Sequence, residues 1–329
     1  MREPVYPFTA AEAPWDPAEF AAAVEAQDEE AAVARLDGAL AQGLHFAELE
    51  PALATAALAH YNDFGHSLIY LMHVRHLVER LGPEVERPLL RAWLRSLILA
   101  TREDLLPDFR GYADALAAWP AQADAVPLDA ATFEGLSIRN TLAATLAAAG
   151  NRPADLHATL MEAAAHHLLR FDERHALRTD NSVADNVGWL DFSHALTFGH
   201  ALRRQCARQP ELWPRGLLQL ALFIGRNSGY LDPDLAAQAA QAEWAVTDSA
   251  AFHRRAIAAI VDHGTGLPIF PAHWLKTWSA VRDEVAAGVP VRTESALLAA
   301  VNRLLAVRFK QRHVLRTAHQ ALGFVGKED

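Results

Sequence analysis

Apolar residues recur three and four positions apart along almost the whole chain, the spacing that one face of a helix requires. No two alternating apolar runs flank a hairpin turn. The pattern predicts helices over Pro17–Leu36, Glu48–His60, Asp63–Leu81, Pro88–Arg102, Phe109–Trp119, Ala130–Ala149 and Pro153–Phe171. After a polar loop, Asp172–Asn186, it continues with Trp189–Gln209, Pro214–Arg226, Pro233–Trp244, Ser249–His263, His273–Ala287 and Glu294–Phe324. Stops and starts agree with it: Asp16-Pro17 opens the first helix, and Gly82-Pro83 and Gly150-Asn151 close two others. Between two of these helices lies Gly264–Pro271, a loop in which Pro268 and Pro271 bracket the apolar pair Ile269-Phe270. The expected fold is all-α: one large bundle-like domain over 1–329, or two related halves, 40–150 and 151–325, about a pseudo-twofold axis. Residues 1–15, Arg178–Asn186 and the last few positions carry the weakest pattern.

Composition narrows the function classes. Of 329 residues, 51% are apolar and 21% charged, enough for a large core and too apolar for a disordered chain. Forty acidic against thirty basic residues give a net charge of −10, the wrong sign for a protein that neutralises phosphates, so no nucleic-acid partner is expected. The single cysteine, Cys206, excludes an internal disulfide framework and a thiolate cluster. No apolar run reaches membrane-spanning length, and Met1–Pro17 carries prolines and acids where a signal peptide needs a basic end and an apolar stretch. The expectation is a cytoplasmic protein without a membrane partner. Nucleotide-binding glycine patterns, H-E-x-x-H and G-x-S-x-G are absent. What stands out is sixteen histidines, about twice the usual share.

Four of them belong to an internal echo. Asp63-Phe64-Gly65-His66-Ser67-Leu68-Ile69-Tyr70 aligns with Asp191-Phe192-Ser193-His194-Ala195-Leu196-Thr197-Phe198, sharing D-F-x-H-x-L-x-(Y/F), and His73 and His200 follow. Residues three apart on a helix lie about 60° apart on one face, so an Asp and a His there can reach one point. Helix bundles hold iron or manganese with carboxylate-x-x-His pairs of this kind. His60, Asp63, His66, Asp191 and His194 are therefore the candidate metal ligands, with Glu162 and His166 in reserve. The competing reading makes Asp63 and Asp191 first-turn residues favoured by the helix dipole, and the histidines structural. Asn62, Tyr70, Trp189, Phe198, His273 and Lys276 are candidate substrate contacts, the last two standing one turn apart behind the proline-bracketed loop.

The stretch His60-Tyr61-Asn62-Asp63-Phe64-Gly65-His66-Ser67-Leu68-Ile69-Tyr70, with Leu71–Gly82 after it, resembles the questin oxidase-like family, from whose pattern it departs at Asp63. The resemblance covers the helical core and carries over His60, Asn62 and His66. It implies an all-helical oxidoreductase that inserts oxygen into an aromatic or polycyclic small molecule. The expected function is thus a metal-dependent oxygenase of non-haem iron type (iron, or manganese), with His60, His66 and His194 catalytic and an electron-donor protein as a second partner. Two alternatives stand beside it: a non-catalytic helical protein that binds a ligand or partner, and a metal-free oxygenase with a histidine base.

Overall fold

The computed structural model describes residues 11–59, 62–100, 102, 105–106, 109–120, 122–178, 187–264, 268–307, 318 and 321–323; the side chains of Asn62 and Asp63 are not described. Among the described residues the fold is all-α, without a strand; Phe171 and Leu231 form an isolated bridge. No described helix is long and apolar enough to cross a membrane. The chain divides into two compact units, residues 1–112 with 201–216, and residues 113–200 with 217–329. The copy of the echo at 63–70 belongs to the first unit and the copy at 191–198 to the second.

The first unit is built on α1 (Pro17–Glu25), α2 (Glu29–Ala41), α3 (Phe46–Ala57), α4 (Asn62–Leu81) and α5 (Glu86–Ile98). Periodicity predicts α1 and α2 as one helix, but the chain breaks at Gln27, whose φ is +56°. The cause is local: the Asp28 carboxylate accepts the Ala31 backbone N–H at 3.0 Å and begins a new helix. Buried acids are neutralised at the seams. Glu50 receives Arg75 and Arg208, and Asp37 receives Arg91 at Nε with Arg87 nearby. The Trp93 indole N–H donates to the Ser67 carbonyl at 2.8 Å, joining α5 to α4.

The second unit contains α6 (Gly111–Ala117, most of it), α7 (Ile138–Ala147), α8 (Pro153–Arg170), α9 (Glu173–Leu177), most of α10 (Trp189–Cys206) and α11 (Trp213–Asn227), α12 (Ala237–Glu243), α13 (Ser249–Val261), α14 (Ile269–Ala286) and α15 (Val291–Ala306). Its centre is α8, buried at every position from Leu156 to Leu169 and packed against α15, α12 and the 3-10 turn Ala130–Phe133. Arg303 of α15 closes the C-terminal end of α8. Its guanidinium donates to the Leu168, Leu169 and Phe171 carbonyls, Leu168 also accepting the Phe171 N–H that closes the helix, and lies 4.9 Å over the Trp189 ring.

Predicted boundaries differ here in several places: α12 begins at Ala237 rather than Pro233, α10 ends at Cys206 rather than Gln209, and α15 begins at Val291 rather than Glu294. Ala130–Ala149 is split because Ser137 caps α7 at the Asn140 N–H, after Gly135 has turned at φ +70°. The polar loop after Phe171 opens with α9, capped by Asp172. The proline-bracketed segment is not all loop: α14 begins at Ile269, so Ile269, Phe270 and Pro271 form its first turn, where a proline costs no hydrogen bond. Beyond Val307, most of the predicted last helix falls outside the described residues.

Close helix approach in this unit depends on glycine. A Cβ on Gly225 of α11 would stand 2.5 Å from Ile138 Cα and 2.9 Å from Ile138 N, backbone atoms that cannot rotate away. Gly225→Ala is therefore expected to destabilise the fold by about 1–3 kcal/mol through overpacking, although alanine is the better helix former. Urea denaturation of the variant against wild type measures it.

Candidate functional site

Helix α10 shows what the second copy of the echo does. Gly188 precedes the helix and Asp191 is its third residue; the Asp191 carboxylate accepts the Gly188 backbone N–H at 2.8 Å, as the acidic member of a capping box does. Its other oxygen accepts the Arg226 guanidinium at 3.0 Å. Asp191 thus fixes the start of α10, the first-turn role weighed against the ligand role. His194, one turn later and 4% exposed, turns instead to α14.

There it meets His273, Nε2 to Nε2 at 3.2 Å, the two rings edge to face. The protonation of this pair follows from its neighbours. His273 Nδ1 lies 2.6 Å from the Ile269 carbonyl, which only accepts, so the Nδ1 proton points there and the Nε2 of the neutral ring is a lone pair. That lone pair faces His194. A histidine tautomer fixed by a backbone carbonyl, with its other nitrogen offered inward, is how proteins orient metal-ligating imidazoles.

Further along the same two helices, His200 Nδ1 lies 2.7 Å from Glu284 Oε1, and both side chains are buried. His273, Thr277 and Glu284 sit at positions i, i+4 and i+11 of α14, a polar stripe on one face. His273 is among the sequence candidates and Glu284 is not, although the spacing of the stripe is visible in the sequence.

The reserve pair belongs to another network. Glu162 accepts the Thr293 hydroxyl at 2.9 Å and pairs with Arg292 at 3.1 Å. His166 lies between two acceptors, Glu134 Oε1 at Nδ1 and Gln241 Oε1 at Nε2, each at 3.0 Å, while Arg170 takes the other Glu134 oxygen at 3.1 Å. Burial pulls the His166 pKa down, but the hydrogen bonds to Glu134 and Gln241 outweigh it and the net shift is upward. The His166 hydrogen bond holds the Glu134 carboxyl below its usual value against the effect of burial. The next residue, His167, is pushed down to about 4 by burial and stays neutral.

Of the remaining candidates, Trp189 stacks edge-on against Phe171 and Phe198 packs on Phe223, both in the core. In the first unit His66 stacks on Tyr70, which is 40% exposed. His60 lies outside the described residues, and of Asn62 and Asp63 only the helical backbone is described. Lys276 is half-buried, one turn beyond His273. Comparison with protein-family models, with curated proteins and with solved structures finds no match.

The Glu134–His166 pair has a definite pH signature. A raised histidine pKa stabilises the fold below the usual 6.5 and loses that contribution as pH rises through the folded value. A lowered glutamate pKa stabilises above the usual 4.5 and loses it as pH falls through the folded value. Glu134→Gln is therefore expected to cost most stability between pH 4.5 and 6.5, and to move the His166 titration to lower pH. Urea melts across pH and the NMR titration of the His166 ring check both.

Proposed function

We propose that this chain is a metal-dependent oxidoreductase, an oxygenase acting on an aromatic small molecule, in which His194 and His273 hold iron. The observation that carries the reading is the 3.2 Å separation of their Nε2 atoms. Two nitrogens each about 2.1 Å from one ion, at an angle of about 90–110°, stand about 3.0–3.4 Å apart, so the pair spans one edge of a tetrahedral or octahedral site. The Ile269 carbonyl supports it by keeping the His273 lone pair on the inner nitrogen. The resemblance of 60–82 to the questin oxidase-like family supplies the reaction class.

Imidazole ligands suit iron, and a pair of them leaves positions open. Bound there, the metal would supply the redox chemistry that lets oxygen react. The chain's own part is orientation. The Gly188 N–H and Arg226 hold Asp191 and with it the start of α10, buried His194 is packed in place, and Ile269 sets the His273 ring.

The same 3.2 Å contact favours one second reading. Without metal, His194 Nε2–H donates to His273 Nε2, and the pair is a base able to move a proton from a substrate that reacts with oxygen directly. One experiment separates the two. Wild type and His194→Ala are melted with and without a chelator, alongside metal analysis of the purified proteins. The metal reading expects stoichiometric iron or manganese in wild type, a lower melting temperature on chelation, and loss of both in His194→Ala. No metal after anaerobic reconstitution, or the same chelator response in both proteins, rejects it. The base reading then expects substrate turnover that is insensitive to chelator and lost in His273→Ala.

A further inference from the structure

The buried carboxylates among the described residues are neutralised with consistency. Each buried carboxylate among the described residues has a cation or imidazole against it: Asp37 with Arg91, Glu50 with Arg75 and Arg208, Glu86 with His45, Glu162 with Arg292, Asp172 with Arg174, Glu284 with His200. Buried Arg303 spends its protons on helix-end carbonyls and approaches Glu173. Of the half-buried cations without such a carboxylate, Arg204 meets His76 instead, and Lys276 is the one on the helix that carries His273. It is half-buried, and among the described residues no carboxylate lies within ion-pair distance. Its own helix offers none either: the positions three and four away are Ala272, His273, Ser279 and Ala280.

A half-buried ammonium has lost part of its water, a cost that an ion pair offsets. Burial alone pushes its pKa down to about 8, which leaves it mostly cationic at neutral pH. Its place gives the missing anion a location. At i+3 from His273 it stands one turn along the same face of α14, and the His273 ring is the one that meets His194. A four-carbon stem gives the ammonium the reach to meet a group held beside that ring.

We infer that Lys276 is the anion-recognition residue of the site, pairing with a carboxylate on the ligand that His194 and His273 act upon. This rests on the proposed function for what happens at the histidines, but not for the pairing itself. It names the substrate class as aromatic carboxylic acids rather than neutral polycycles. The bond is an ion pair of one ammonium with one carboxylate, and no covalent step is involved.

The test uses three aromatic acids, each with its neutral amide: benzoate and benzamide, salicylate and salicylamide, 1-naphthoate and 1-naphthamide. Binding is measured by calorimetry on the full chain as purified and again after metal removal, for wild type, Lys276→Met and Lys276→Arg. At least one acid is expected to bind wild type tenfold or more tighter than its amide. Lys276→Met should abolish that preference without changing amide binding, and Lys276→Arg should keep part of it. A second readout does not depend on variants folding. The chain has three lysines, Lys276, Lys310 and Lys327, so acetylation of Lys276 is resolved by mass spectrometry and should slow when the preferred acid is present. The inference is overturned if no acid is preferred over its amide, or if Lys276→Met keeps the preference, or if acetylation of Lys276 ignores the acid. Iron content of the same variants keeps the two ideas apart. Lys276→Met should retain whatever iron wild type holds, so iron-free wild type with Lys276-dependent acid binding defeats the metal reading alone.

Discussion

The second unit depends on the cost of burying polar groups along α8. A helix enclosed on every side is normally apolar throughout, yet α8 carries His157, Thr159, Glu162, His166 and His167 inside. Three helices around it each bring a partner for one of them. Gly199 of α10 presents its carbonyl 2.8 Å from His157 Nε2, Thr293 of α15 donates to Glu162, and Gln241 of α12 meets His166. These contacts are directional where apolar packing is not, so they fix rotation and register as well as proximity. Through the His157–Gly199 contact, α8 sets the position of α10, and α10 carries His194 and His200 to α14.

That arrangement explains which parts of the fold the sequence made legible. Helix existence was readable because apolar spacing of three and four is a property of each segment alone. Breaks were harder, since they turn on a single side chain competing for a backbone N–H. Asp28 and Ser137 each begin a helix inside a pattern that periodicity alone would continue. The start of α14 at Ile269 is hidden for the opposite reason. Pro268 and Pro271 resemble loop punctuation, but a proline in a first helical turn loses nothing.

The echo was informative for a reason different from the one that made it conspicuous. Asp191 and His194 share a helix face, and shared facing suggested a shared ion. But Asp191 is also the third residue of its helix, where the positive end of the dipole and the unsatisfied Gly188 N–H compete for any carboxylate. That local claim was the nearer one. The partner His194 found instead, His273, lies 79 positions away on a helix with no echo of the motif. No spacing rule within one helix could have named it. Glu284 is the same case for His200, since its place in the stripe is visible in the sequence but the helix that stripe faces is not.

The chemistry open to the His194–His273 pair is constrained by protons rather than by distance. His273 spends its Nδ1 proton on the Ile269 carbonyl, so its inner nitrogen is a lone pair whenever the ring is neutral. A second inward lone pair, from His194, would leave two nitrogens repelling each other at 3.2 Å. Something positive must therefore stand between them. A proton on His194 suffices and gives a neutral hydrogen bond; a metal ion does the same and engages both lone pairs at once. The two proposed readings of the site are thus two occupants of one electrostatic position, in competition with each other. The ion prevails only if further ligands or a counter-charge offset the proton it displaces, which is why the groups beside the pair decide the outcome more than the pair itself does.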